Sequence, residues 1–177
     1  MNEISLALNL RGAEPDFDSL FLEYFNQVFS YTHRLVGDIT VAHRLAEQSF
    51  DEMARYYNKL RLPNQPRALL YLLATARARD HIRKGDKQPF WHKWFLRPAE
   101  PAVEFTDDEV SGLMNDTSQR ALGTLEFGSR VVLLLRDYCG LSYDEVARAA
   151  GIGRSSVARD LDRARHEFKQ AYDYIRF

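Results

Sequence analysis

A single cysteine among 177 residues, Cys139, leaves no intrachain disulfide and no thiolate pair for a metal. Beside Gly140 and at the end of an apolar stretch, it reads as a small buried hydrophobe. The apolar runs at 69–74 and 131–135 fall far short of the roughly 20 residues needed to span a bilayer, so no membrane span is expected. Met1-Asn2-Glu3-Ile4-Ser5 offers no basic run followed by an apolar core, which points away from secretion and towards the cytoplasm. A phosphate-cradling glycine loop, a nucleophile elbow and metal-ligand spacing are all missing, and His33, His43, His81, His92 and His166 are scattered. The expectation is therefore a protein without a cofactor or a metal, and not an enzyme. Strand-like alternation persists nowhere, so the chain reads as all-α.

What is present is charge segregated along the chain. The net charge of −1 hides a basic segment, Arg77, Arg79, Arg83, Lys84, Lys87, Lys93 and Arg97, opposed only by Asp80 and Asp86. Glu100, Glu104, Asp107, Asp108, Glu109 and Asp116 follow without a base among them. The first segment attracts phosphates and the second repels them.

Apolar residues recur at helical steps from Phe17 to about Gly37, from about Thr40 to Leu60 and from Pro66 to Lys84, with the break Pro63-Asn64-Gln65-Pro66 between the last two. Pro66 suits a first helical turn. These helices make a first domain, residues 1–88. Residues 89–117 hold Pro89, Pro98 and Pro101, the aromatics Phe90, Trp91, Trp94 and Phe95, and the acidic run, and read as a flexible linker. Helical periodicity returns over 118–177, the second domain.

The strongest local signal lies at 141–161. Ser142, three residues before Glu145, predicts a capping box, and Gly151 a tight turn. Ala147 is small where two helices approach, Ile152 and Val157 face inward, and Ser155 or Ser156 caps a second helix. That is the layout of a helix-turn-helix, whose second helix would present Arg154, Ser155, Ser156, Ala158, Arg159 and Asp162 to a major groove, with Arg163, Arg165 and Lys169 near phosphates. Spacing alone also permits a helical hairpin with a solvated charged face.

The text from Val132-Leu133-Leu134-Leu135-Arg136-Asp137-Tyr138-Cys139-Gly140-Leu141-Ser142-Tyr143-Asp144-Glu145-Val146-Ala147 through Gly151-Ile152, Val157 and Arg163-Ala164-Arg165 resembles region 4 of the extracytoplasmic-function (ECF) sigma factors. Phe21-Leu22-Glu23-Tyr24-Phe25, Leu35-Val36-Gly37-Asp38, Ala46-Glu47-Gln48-Ser49-Phe50, Leu70-Tyr71-Leu72-Leu73-Ala74 and Arg79-Asp80-His81-Ile82-Arg83-Lys84 resemble region 2 of the same family. The resemblance implies a two-domain, all-α protein that binds core RNA polymerase through region 2 and directs it to promoter DNA. Region 2 would melt one promoter element and region 4 would read another as duplex. It further implies polymerase contacts at His43, Arg44, Glu47, Gln48 and Asp51, and capture of the separated strand by Arg77, Arg79, Arg83 and Lys84, with Tyr71 read as core.

The chain departs from the family where an acidic cluster is usual and Val41-Ala42-His43-Arg44 stands instead. Carboxylates there face basic polymerase residues in the family, so engagement is expected to be conditional. Phosphorylation of Thr40 or Ser49 by a Ser/Thr kinase, or control by an anti-sigma factor, would supply the condition. The recognition helix departs too, with Ser155-Ser156-Val157-Ala158-Arg159-Asp160 in place of a more basic stretch, so promoter preference is not transferable from relatives. The alternative is a helix-turn-helix regulator, or a sigma-like protein, that does not act through core polymerase.

Overall fold

The structure, a computed structural model, describes residues 17–59, 66–84 and 117–176. The predicted linker at 89–117, apart from Thr117, lies outside the described residues, as do Phe90, Trp91, Trp94, Phe95 and the acidic run. The first part consists of α1 (Phe17–Val36), α2 (Ile39–Lys59) and α3 (Pro66–Lys84), close to the predicted bounds. Gly37 ends α1 by turning into the left-handed region, φ 75°, and its N–H donates to the His33 carbonyl at 2.7 Å. Asp38 then starts α2: its Oδ1 accepts the Val41 N–H at 2.9 Å and its carbonyl accepts the Ala42 N–H at 2.8 Å. So short a connection folds α2 back along α1, and Phe17 and Phe21 meet Phe50 while Phe25 meets His43. Helix α3 closes the bundle. Tyr71 is fully buried edge-on to Tyr31, ring centroids 5.2 Å apart, and the Tyr31 hydroxyl pairs with Thr75 at 2.7 Å. Tyr71 is thus a core residue, as the apolar period of its helix suggests.

The second part consists of α4 (Thr117–Thr124), α5 (Phe127–Leu133), a π-helical turn (Leu134–Tyr138), α6 (Tyr143–Ala150), a 3-10 turn (Arg154–Ser156) and α7 (Val157–Arg176). The wider π turn, closed by the Cys139 N–H on the Leu134 carbonyl at 2.8 Å, keeps Leu134 and Leu135 in the core while Asp137 and Tyr138 emerge. The capping box is present: the Ser142 Oγ accepts the Glu145 N–H at 3.3 Å, and Glu145 accepts the Ser142 N–H at 2.8 Å. Partial burial works to raise the Glu145 pKa, but the two Ser142 donors outweigh it and leave the carboxyl below its usual value.

Gly151 ends α6 at φ 70°, and the next N–H, of Ile152, reaches back to the Ala147 carbonyl at 3.0 Å. A Cβ at Gly151 would meet nothing within 4 Å, so only backbone strain opposes a side chain. Gly151→Ala is expected to lower stability by about 1–2 kcal/mol in urea unfolding, and a neutral result would contradict the left-handed turn. The recognition helix proper begins at Val157, and Ser155 and Ser156 lie in the 3-10 turn before it.

The two parts dock directly. Helix α3 lies along α6, and the bonds across the joint run from cationic or amide side chains to backbone carbonyls. Arg67 donates to the Cys139 carbonyl, Arg79 to that of Ala150 at 3.4 Å, and Gln119 to that of Arg34 at 3.3 Å. Arg130 rises out of the apolar face of α5, is only 6% exposed, and donates to the Leu35 carbonyl at 2.5 Å. Its other Nη donates to the carbonyls of Leu125 at 3.0 Å and Gly123 at 3.4 Å. Burial pushes this guanidinium down to about 10, so it remains charged at neutral pH.

Candidate nucleic-acid interface

Val157, Leu161 and Ala164 are buried, which fixes the rotation of α7 and turns its other side to solvent. Arg154, Ser155, Ala158, Arg159, Asp162, Arg163 and Arg165 are exposed there and Ser156 is half-buried, so the predicted contact residues do share an outward surface. Its cations are held by carboxylates. Arg154 pairs with Asp144 at 2.7 Å, Arg159 and Arg163 with Asp160 at 3.3 and 3.7 Å, Arg165 with Asp137 at 2.6 Å, and Lys169 with Asp173 at 2.5 Å. Exposed pairs of this kind contribute roughly 0–1 kcal/mol each, so a phosphate can take the carboxylate's place at little cost. At about 100° per residue, Ala158, Asp162, Arg165 and Lys169 fall in one stripe, with the 79% exposed Asp162 side chain among them.

The basic residues of α3 do not form one patch. By the same helical rotation, Arg77 and Lys84 lie on one side of α3, and Arg79 and Arg83 on the other. Arg77 pairs with Glu52 at 2.5 Å and Arg83 with Asp80 at 3.3 Å, and Lys84 is exposed. Arg79 faces the second part, where it donates to Ala150 and lies 5.7 Å from the centroid of the Phe127 ring. The dense run of cations in the sequence is therefore distributed over separate surfaces.

On α2 the reverse holds. Thr40, Arg44, Glu47, Gln48 and Asp51 are exposed along a single stripe, flanked by the half-buried His43. His43 packs edge-on against Phe25 and Phe29, at 5.4 and 5.9 Å, and its Nδ1 is 3.5 Å from Glu47. The stripe thus sets one arginine and one histidine among two carboxylates, a mixed surface in place of the charge reversal suggested by residues 41–44 alone. Ser49 points the other way. It is fully buried and donates to the Leu45 carbonyl at 2.7 Å, so its expected role as a phosphorylation site does not hold: a kinase cannot reach it in this fold.

Three features escaped the sequence reading: the buried Arg130, the docking arginine Arg67, and Tyr143, whose ring carries the guanidiniums of both Arg136 and Arg154 at 5.2 and 5.0 Å. Arg130 had a visible signal, a lone cation between Ser129 and the apolar run at 131–135.

These observations define an all-α protein whose C-terminal helix-turn-helix is docked on an N-terminal helical bundle. Residues 118–167, which hold that motif, match the family model described as Sigma-70, region 4. The chain is 25% identical over 158 residues to the RNA polymerase sigma factor YlaC of Bacillus subtilis, covering 86% of this chain and 90% of that one. It is 26% identical over 174 residues to the RNA polymerase sigma-H factor of Pseudomonas aeruginosa, covering 91% and 88%. Its fold is similar to that of the sigma factor RpoE from Bartonella quintana, solved with the anti-sigma factor NepR, with TM-score 0.67, 14% identity and coverage of 89% of this chain and 97% of that one. It is also similar to CnrH, solved with the cytosolic domain of CnrY, with TM-score 0.63, 21% identity and coverage of 95% and 94%. Along most of its length the chain is thus similar to RNA polymerase sigma factors, with the Sigma-70 region 4 match in its C-terminal part. Among the described residues, no helix is long and apolar enough to cross a membrane.

Proposed function

We propose that this chain binds core RNA polymerase and directs it to specific promoters, and that this engagement is conditional. The observation that carries the reading is the coincidence of the region 4 match at 118–167 with a capped helix-turn-helix whose outer face holds exchangeable cations. In this reading residues 1–88 engage polymerase and melt DNA, 89–117 are the tether, and 118–177 read the duplex. The stripe of Arg44, Glu47, Gln48 and Asp51, edged by His43, is the polymerase-facing surface. Arg83 and Lys84, near the end of α3, are best exposed for the separated strand, whereas Arg77 and Arg79 must first leave Glu52 and Ala150.

Control falls to an anti-sigma factor or to a Ser/Thr kinase acting at Thr40. Thr40 is exposed in the first turn of α2, with His43 and Arg44 one turn further along. A phosphate there adds about −1.5 to −2 charge where the helix dipole favours it, and joins Glu47 and Asp51 on one stripe. The test is transcription from a library of promoter fragments by bacterial core polymerase with the purified chain, run alongside Thr40→Glu. Promoter-specific transcripts are expected, with more from Thr40→Glu. No transcript from either form would overturn the sigma reading, and equal core affinity of the two forms would overturn the Thr40 switch alone.

A further inference from the structure

The cations on the outer face of α7 differ in what holds them. Arg159 and Arg163 share Asp160, and Lys169 pairs with Asp173, all from within α7 itself. Arg165 is held from outside the helix, by a residue 28 positions earlier in the chain. Its Nε donates to the Asp137 Oδ2 at 2.8 Å and its Nη2 to the Asp137 Oδ1 at 2.6 Å. Among the described residues of this face, Arg165 is the arginine gripped by both oxygens of one carboxylate. Asp162 flanks the fork, 3.9 Å from Nη1. Asp137 reaches this place from the π turn, which keeps Leu134 and Leu135 in the core while Asp137 emerges, and π turns within helices are frequent at functional sites. The pair stays open to solvent, its side chains 47% and 37% exposed.

We propose that Asp137 is a built-in competitor for DNA phosphate: it occupies the Arg165 fork in the free chain, yields it to the backbone of a duplex, and so holds down affinity for DNA of every sequence. The inference rests on the promoter-binding reading above and adds to it a residue that sets how tightly any duplex is held. A guanidinium presents two parallel N–H donors, and carboxylate and phosphate accept them in the same geometry, so the two anions exclude each other at Arg165. Arg165 shares its stripe with Ala158, Asp162 and Lys169, and a cation there that meets the backbone adds affinity without sequence information. An exposed pair is weak enough to exchange, yet each exchange forfeits what the pair contributed. The penalty keeps the free chain from settling on the great excess of non-promoter DNA.

The test is binding of the full chain, across a range of salt, to a fluorescent duplex pool of random sequence and to a duplex selected from that pool on the complex with core polymerase. Asp137→Asn keeps the shape and loses the charge, and should tighten both by the same factor, about fivefold. Its salt dependence should match that of wild type, because the same phosphate is contacted. Asp137→Ser, which also lacks the charge, should behave alike. Arg165→Gln should weaken binding to both duplexes and make the salt dependence shallower by about one, and in that background Asp137→Asn should have almost no effect. A gain from Asp137→Asn as large without Arg165 as with it would reflect only a lost surface charge, and would overturn the proposal. A lower urea midpoint in both Asp137 variants with duplex affinity unchanged would make the pair a staple between the π turn and α7, and overturn it as well. Tightening confined to the selected duplex would assign Asp137 to base recognition, against the proposal. Failure of every form to retain any duplex, with or without core polymerase, would instead bring down the promoter-binding reading, and this inference with it.

Discussion

Arg130→Met is expected to lower the unfolding free energy by about 3–5 kcal/mol, read from urea unfolding at neutral pH. Methionine fills much of the same space, so the loss isolates the guanidinium. Three carbonyls, of Leu35, Gly123 and Leu125, lose a charged donor at once, and that of Leu35 lies in the last turn of α1, where no intrahelical partner remains. The residue is 6% exposed, so water does not simply take its place. Arg130→Lys keeps one charge but cannot span all three acceptors, and its loss should fall between those of wild type and methionine. A methionine variant within about 1 kcal/mol of wild type would mean that the joint between the halves is held elsewhere.

Acid should destabilise the protein well above the carboxylate range, through His33. This side chain is 2% exposed near the end of α1, and its Nδ1 has no hydrogen-bond partner among the described residues. Burial, aided by the neighbouring Arg34 charge, pushes its pKa down to about 4 from the usual 6.5. Above pH 6.5 the imidazole is neutral in both the folded and the unfolded chain, and nothing is lost. Between about 6.5 and 4 the unfolded chain takes up a proton that the folded chain refuses, so stability falls as pH falls, and it levels off below about 4. At about 1.4 kcal/mol per pH unit the contribution is about 2 kcal/mol at pH 5 and about 3 kcal/mol at pH 4. Urea midpoints at pH 7 and pH 5 for wild type and His33→Leu would measure it. A leucine variant that retains the full acid slope would assign that slope to another group.

Much of this architecture is legible in the sequence because its signals are local. Gly37, the Pro63 to Pro66 break and Gly151 punctuate the helices, and Ser142 with Glu145 announces the start of α6 three residues in advance. Ser49 follows Ala46 and precedes Met53 on the apolar period of α2, and that period puts its hydroxyl on the buried side of the helix. The basic stretch of α3 is dense along the chain but divided in space, because helical rotation sends Arg77 and Arg79 to different neighbours. What could not be read is long-range. Arg130 meets Leu35 across 95 residues, and Arg67 meets Cys139 across 72, through backbone carbonyls that no side-chain pattern marks.

The docking of α3 on α6 sets an equilibrium on whatever binds afterwards. Arg79 holds the end of α6 at Ala150, and Arg67 holds the end of the π turn at Cys139. A ligand that needs these helices parted binds with its intrinsic affinity multiplied by the fraction of molecules already open, so weakening the joint raises the apparent affinity without any change at the ligand's own contacts. A ligand that spans both halves as they now sit draws the same equilibrium the other way. The two kinds of partner then compete at a distance, with no surface in common.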